Sequence, residues 1–272
     1  MTHALGIDSQ TIFGMLPTQH IALAAHLGCS FVSLGIQSVP WKLDRYPQWS
    51  LRDDPVLRRD TAAQLRALGI SISLAEGFVI RPGSDVRDKA GDLDILAELG
   101  AKMASTVAMD RDMPRALDQL AALAEMTGER QMKAVLEFAP PHAVNSLESA
   151  IKALHECQAQ NIGLVIDAMH FFRSGSDLET LRGLDPNLVA YAQLCDVPLR
   201  GAGGDYLAEA SFERLAPGDG ELPLQALVAA LPRDVGIGIE LPMQSRMETD
   251  EQFEQALTHA LNQTRNLLEA TN

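Results

Sequence analysis

Eight times along the chain a short β-branched or apolar run gives way to a longer amphipathic stretch, which is the pattern of repeated strand and helix units. Strands are predicted at 4–8, 31–36, 71–75, 102–108, 133–138, 162–167, 189–195 and 236–241. Helices are predicted near 18–27, 56–68, 85–99, 112–127, 146–159, 177–183, 222–231 and 249–268, with Gly28, Gly69, Gly100 and Gly128 as helix stops. Helical crossovers make consecutive strands parallel, and eight such units with short connections close into a (β/α)8 barrel, an α/β fold that takes in residues 1–272 as one domain. An open doubly wound sheet is the competing architecture, but LGIDSQTIFG stands at the first strand in place of a glycine-rich phosphate turn.

Two connections are longer than a barrel needs. Residues 37–55 carry Trp41, Tyr46 and Trp49 and leave the C-terminal end of the second strand, so they overhang the mouth. They form either an apolar wall or lid for a ligand, with Trp41 as a substrate contact, or a loop packed on its own aromatics. Residues 196–221 are glycine-rich and are expected to be a mobile gating segment or a long surface loop.

Four polar residues fall at the ends of four successive strands: Glu137 in KAVLEFA, Asp167 in GLVIDAMHF, Gln193 in VAYAQLCD and Glu240 in GIGIELP. Strand ends of a parallel barrel converge on one mouth. Carboxylates that follow apolar runs are costly to bury unpaired, and only Lys133 and Arg173 lie close by in sequence. One divalent ion would compensate the three acids together, with Gln193 as a fourth oxygen donor. Such ligands suit Mg²⁺ or Mn²⁺, with Co²⁺ and Zn²⁺ left open. His170 either replaces Gln193 as a ligand or faces the substrate from a loop above the metal. Arg173 at the same mouth can bind a carboxylate, phosphate or hydroxyl. His142 in APPHAV is a further substrate candidate, whereas His3, His20, His26, His155 and His259 read as surface or packing residues.

Charge and composition exclude other classes. The formal charge of −14 argues against a nucleic-acid partner. Apolar residues make up 46% of the chain, yet no run approaches the length that spans a bilayer, and MTHALGIDSQ lacks an export signal, so a cytoplasmic protein without a membrane partner is expected. Cys29, Cys157 and Cys195 lie too far apart to suggest a metal knuckle or a disulfide framework.

The motifs LEFAP, IDAMHFFRSG, AQLCDVP, ERLAPGDGELPL and GIELP resemble the xylose isomerase-like TIM-barrel superfamily, the sugar phosphate isomerase and epimerase group. The resemblance spans the C-terminal half; the N-terminal half agrees only through AAHLGCSFVSL and LAELGAK, and Ser33 stands where many relatives carry a glutamate. It implies that Glu137, Asp167, Gln193 and Glu240 hold a divalent metal, and that His170, Arg173 and Arg214 touch a small polyhydroxylated substrate. Gln193 departs from the histidine usual in the sugar epimerases and resembles one branch of the 3-dehydroshikimate dehydratases.

A metal chelating a carbonyl and its neighbouring hydroxyl acidifies the intervening C–H, and Glu137 or Glu240 is the expected base, leaving a metal-stabilised enediolate. Proton return to the other face gives epimerisation, return to the adjacent carbon gives isomerisation, and loss of a β-hydroxyl, with His170 as general acid, gives dehydration. An isomerase or epimerase of a sugar or polyol ketone is the leading expectation and a lyase of the dehydroshikimate dehydratase type the alternative. A barrel that only binds carbohydrate and an endonuclease are the remaining readings; the paired carboxylates argue against the first and the acidic charge against the second. Self-association into a homo-oligomer stays open.

Overall fold

The computed structural model describes residues 3–201, 205–246 and 248–271. Strands β1 Leu5–Ile7, β2 Phe31–Gly35, β3 Ser71–Glu76, β4 Met103–Val107, β5 Lys133–Glu137, β6 Ile162–Asp167, β7 Val189–Leu194 and β8 Gly236–Ile239 pair in sequence order, all parallel. β1 pairs with both β2 and β8, so the sheet closes into a (β/α)8 barrel. Every predicted strand is present, within two residues at each boundary.

Helices α1 Pro17–His26, α2 Pro55–Leu68, α3 Ala90–Glu98, α4 Met113–Gly128 and α5 Leu147–Glu156 cover the first five crossovers. Short α6 Ala168–Arg173 and α7 Leu178–Arg182 follow β6, α8 Tyr206–Phe212 and α9 Leu224–Val228 follow β7, and α10 Asp250–Thr271 closes the chain. Local chemistry sets their ends. Asp54 accepts from the N–H groups of Val56 and Leu57 ahead of Pro55, and Gly69, at φ +67°, ends α2 in a conformation that favours glycine. Gly128 does not act as a stop: it is the last residue of α4, and the left-handed turn falls at Gln131 with φ +58°. None of the helices among the described residues is long and apolar enough to cross a membrane.

Strand alternation divides the core in two. Ala134, Leu136, Leu164 and Ile166 face outward into the layer shared with the helices. Phe31, Leu74, Val135, Val165 and Tyr191 face inward and fill the lower barrel as a separate cluster. Burying such side chains contributes roughly 1.5–3 kcal/mol each. The plug fills the barrel below the C-terminal mouth.

The described residues of both long connections are tied into the fold. In 37–55, Tyr46 and Leu51 are buried and the Trp49 indole donates to the Gly14 carbonyl at 3.0 Å. The 196–221 segment is not a free glycine-rich loop. It contains α8, and the buried Asp196 carboxylate accepts from the N–H groups of Val197, Gly218 and Leu222 at 2.9, 3.0 and 3.0 Å. Residues 202–204 of this connection lie outside the described residues.

Candidate metal centre and active site

Glu137, Asp167 and Gln193 each stand two residues beyond an inward residue of the plug, Val135, Val165 and Tyr191, and therefore share their face. The same step carries Leu74 to Glu76, Gly6 to Asp8 and Gly238 to Glu240. Six polar side chains thus ring the top of the plug. Asp8 and Glu76 were not singled out from sequence, although LGID and SISLAE show the signal that marks the others, an apolar run ending in an acid.

One cation sits among these acids. Arg214, 2% exposed, places Nη1 2.5 Å from Asp167 Oδ2 and 3.0 Å from Glu240 Oε2, and its Nε donates to the Ala210 carbonyl. Sequence placed Arg214 against the substrate; the structure sets its guanidinium in with the carboxylates. Burial works against ionisation of Asp167, but Arg214 and His170 together hold its carboxyl below the usual range. Glu137 is pushed up to about 8 by burial and then by the charge of Asp167. Glu240 is raised well above its ordinary value by burial, with Arg214 opposing and Glu137 and Asp167 adding to the rise. Asp8 rises to about 7 through burial and the neighbouring Glu76.

Five acids, Asp8, Glu76, Glu137, Asp167 and Glu240, therefore crowd the centre, and among the described residues Arg214 pairs with two of them, Asp167 and Glu240. The donor set fits a divalent cation, which would relieve that excess. A second observation agrees: Gln193 Nε2 donates to Asp8 Oδ2 at 3.0 Å and to Glu240 Oε1 at 2.9 Å, while its Oε1 is buried without a partner among the described residues. Glu137, Asp167 and His170 also offer ligand atoms lying within 4.8 Å of one another.

His170 lies on α6 rather than in a loop. Asp167 ends β6 and caps α6 by accepting from the His170 N–H at 2.7 Å, so one residue both closes the strand and starts the helix. The imidazole Nδ1 meets the Tyr206 hydroxyl at 2.6 Å and Nε2 lies 3.4 Å from Glu137 Oε1. Burial lowers the His170 pKa to about 4, which keeps the ring neutral. Arg173 turns elsewhere, pairing with Glu209 at 2.9 Å and donating to the Pro198 carbonyl at 2.8 Å. His142 is half-buried, its Nδ1 lacks a partner among the described residues, and its charged form would oppose that of His170.

A cavity of about 570 Å³ opens over the centre. Glu76, Glu137, Gln193 and Glu240 form its polar floor, and Trp41, Trp49 and Phe78 line its wall. The 37–55 connection therefore faces a ligand-sized space, and Trp41, 41% exposed, also meets Phe212 edge-on at 6.4 Å. Arg52 and Lys89 reach the same cavity, both paired with Asp92. Asp167, His170, Arg214, Arg173 and His142 are not among its lining residues.

The sequence profile of the family described as xylose isomerase-like TIM barrel matches residues 21–263. Inosose isomerase of Bacillus subtilis (strain 168) is 30% identical over 122 residues, which span 44% of this chain and 42% of that protein, so the match covers less than half the length of this curated relative. A crystal structure of IolI protein with a bound zinc atom is 21% identical with a TM-score of 0.79, covering 100% of this chain and 99% of that one. The probable 3-DHS dehydratase AsbF from Bacillus anthracis is 14% identical with a TM-score of 0.73, covering 95% of this chain and 98% of its own. At these identities the likeness to solved structures is one of fold.

Proposed function

We propose that this chain, which belongs to the xylose isomerase-like TIM-barrel family, is a divalent-metal-dependent isomerase or epimerase acting on a sugar or polyol ketone. The observation that carries the proposal is a cluster of five acids, of which Asp167 and Glu240 pair with Arg214, beside a ligand-sized cavity lined by Glu76, Glu137, Gln193 and Glu240. The similarity to an inosose isomerase supports the reaction class, and the zinc atom bound by the IolI protein supports a divalent metal.

Glu137, Asp167, Gln193 and Glu240 would hold the ion. When bound it supplies Lewis acidity to vicinal substrate oxygens, and hard oxygen donors favour Mg²⁺ or Mn²⁺. Glu137 and Glu240 are the proton carriers; in the metal-free protein burial and neighbouring acids raise both carboxyls. His170, with its Nδ1 engaged by Tyr206, offers Nε2–H toward Glu137 and toward a substrate oxygen beside it. Arg214 holds Asp167 and Glu240 in place from the protein side. Trp41 and Trp49 shield the reacting carbon from water. Arg173 and His142 remain proposed substrate contacts, with Arg173 held by Glu209 and the Pro198 carbonyl.

A lyase of the dehydroshikimate dehydratase type is the second reading. It is favoured by the neutral amide at Gln193 and by the fold shared with AsbF, and the same base would start an elimination. The purified chain, loaded in turn with Mg²⁺, Mn²⁺, Co²⁺ and Zn²⁺, should be incubated in D₂O with ketoses, inosose and 3-dehydroshikimate. Deuterium entering the carbon next to a ketone, with recovery of an isomer, supports the first reading. Loss of one water from 3-dehydroshikimate without exchange into ketoses or inosose moves the second ahead. No deuterium entry and no water loss with any metal rejects both.

A further inference from the structure

Tyr191 and Asp8 meet inside the barrel although 183 residues separate them in sequence: the phenol donates to Asp8 Oδ1 at 2.6 Å. The other oxygen of Asp8 accepts from Gln193 Nε2 at 3.0 Å, and Glu240 Oε1 takes the second N–H of that amide at 2.9 Å. All four side chains are at most 4% exposed. Both amide donors are thus spent on carboxylates, and the amide oxygen is left buried and without a partner among the described residues. Turning the amide over would leave both of its N–H donors without these acceptors. The backbone makes room for this arrangement: a Cβ at Gly238 would lie 2.2 Å from the Tyr191 hydroxyl and 2.3 Å from Asp8 Oδ2.

We infer that Asp8 and Tyr191 are positioning residues that lock the Gln193 amide with its oxygen outward, making an amide at this strand end a committed metal ligand. The inference rests on the metal-centre reading above and assigns a task to two residues which that reading leaves idle. An unclamped amide presents oxygen or nitrogen, and only oxygen binds a cation. The clamp therefore sets the affinity of the centre, and it completes an all-oxygen donor set suited to a hard ion.

The test titrates Mn²⁺ alone into the purified protein and counts free ion by its paramagnetic resonance signal, with no turnover involved. Asp8→Asn keeps size and lets the side-chain amide at that position donate to a reversed Gln193, so Mn²⁺ binding should weaken roughly ten- to hundred-fold. Tyr191→Phe, which removes only the hydroxyl, should weaken it roughly three- to ten-fold. Gln193→Glu supplies a ligand with two equivalent oxygens, which has no wrong face and is repelled by Asp8. In that background Asp8→Asn should leave Mn²⁺ affinity unchanged or tighten it. Equal weakening in both backgrounds would reduce Asp8 to a through-space charge and overturn the clamp. So would a folded Asp8→Asn or Tyr191→Phe protein that binds Mn²⁺ within two-fold of the parent. Absence of divalent-ion binding by the parent protein would instead overturn the metal reading itself, and the clamp with it.

Discussion

Arg214 Nη1 lies 2.5 Å from Asp167 Oδ2, where both side chains are almost wholly shut off from solvent. These partners stand 47 residues apart, on the segment after α8 and at the end of β6. A buried carboxylate that loses its cation is left uncompensated, so Arg214→Met should destabilise the metal-free protein by about 3–5 kcal/mol. A divalent ion that binds only the folded state should then recover part of the loss in proportion to its concentration. Thermal unfolding with and without Mn²⁺ measures both effects. An unchanged metal-free midpoint would show that the guanidinium does not hold the carboxylate.

His20 gives a pH dependence that is separate from the metal centre. It is 0% exposed, its Nε2 donates to the Ile7 carbonyl at 3.0 Å, and its Nδ1 has no partner among the described residues. Burial lowers its pKa from 6.5 to about 4. As pH falls from 6.5 to about 4 the unfolded chain takes up a proton that the folded chain refuses, so stability falls across that window and this contribution is fully present above it. The effect is roughly 3 kcal/mol. His20→Gln should therefore lose less stability than the parent between pH 7 and pH 4.5 in urea titrations. Parallel losses in the two proteins would refute it.

Asp196 should govern the order of the connection after β7. Its carboxylate accepts from three backbone N–H groups, and the backbone at Gly220 approaches so closely that a Cβ there would lie 2.3 Å from Asp196 Oδ1. Asp196→Ala strands those donors and should lower stability by about 3 kcal/mol or more. Limited proteolysis should find new cleavage between residues 196 and 222. A cleavage pattern like that of the parent would count against the assignment.

The barrel was legible because each unit shows its period plainly: KAVLE and GLVID alternate or run apolar, and the stretches between them carry a helical stripe. Glu137, Asp167, Gln193 and Glu240 stood out for the same reason, as polar ends of apolar strands. Besides Asp8 and Glu76, three things escaped. α6 is hidden because AMHFF continues the apolar run of β6 with no breaker, and Asp167 serves as strand end and helix cap at once. α8 is hidden by the glycines of the segment that contains it. The third is pairing over distance: nothing local tells that Arg214 meets Asp167, that Tyr191 meets Asp8, or that Arg173 turns to Glu209. Such partners are set by barrel closure, which brings β1 beside β8 and only then defines what shares the interior.

The roles of Glu137 and Glu240 separate by exchange rather than by turnover. Both are proposed as ligands and as bases, and only a base must lose and regain a proton. Changing either to glutamine keeps an oxygen donor and removes the basicity, so Mn²⁺ should persist, weakened, in Glu137→Gln and in Glu240→Gln. Entry of solvent deuterium next to the substrate carbonyl should fall at least roughly 100-fold, the scale of a lost general base. In an epimerase each variant should still exchange the proton of one epimer slowly, because each keeps the base for one face. In a dehydratase one variant should lose exchange and the other elimination. Parent-like exchange in both variants, with metal bound, would remove these carboxylates from proton transfer and leave hydride transfer or simple binding as the task of the centre.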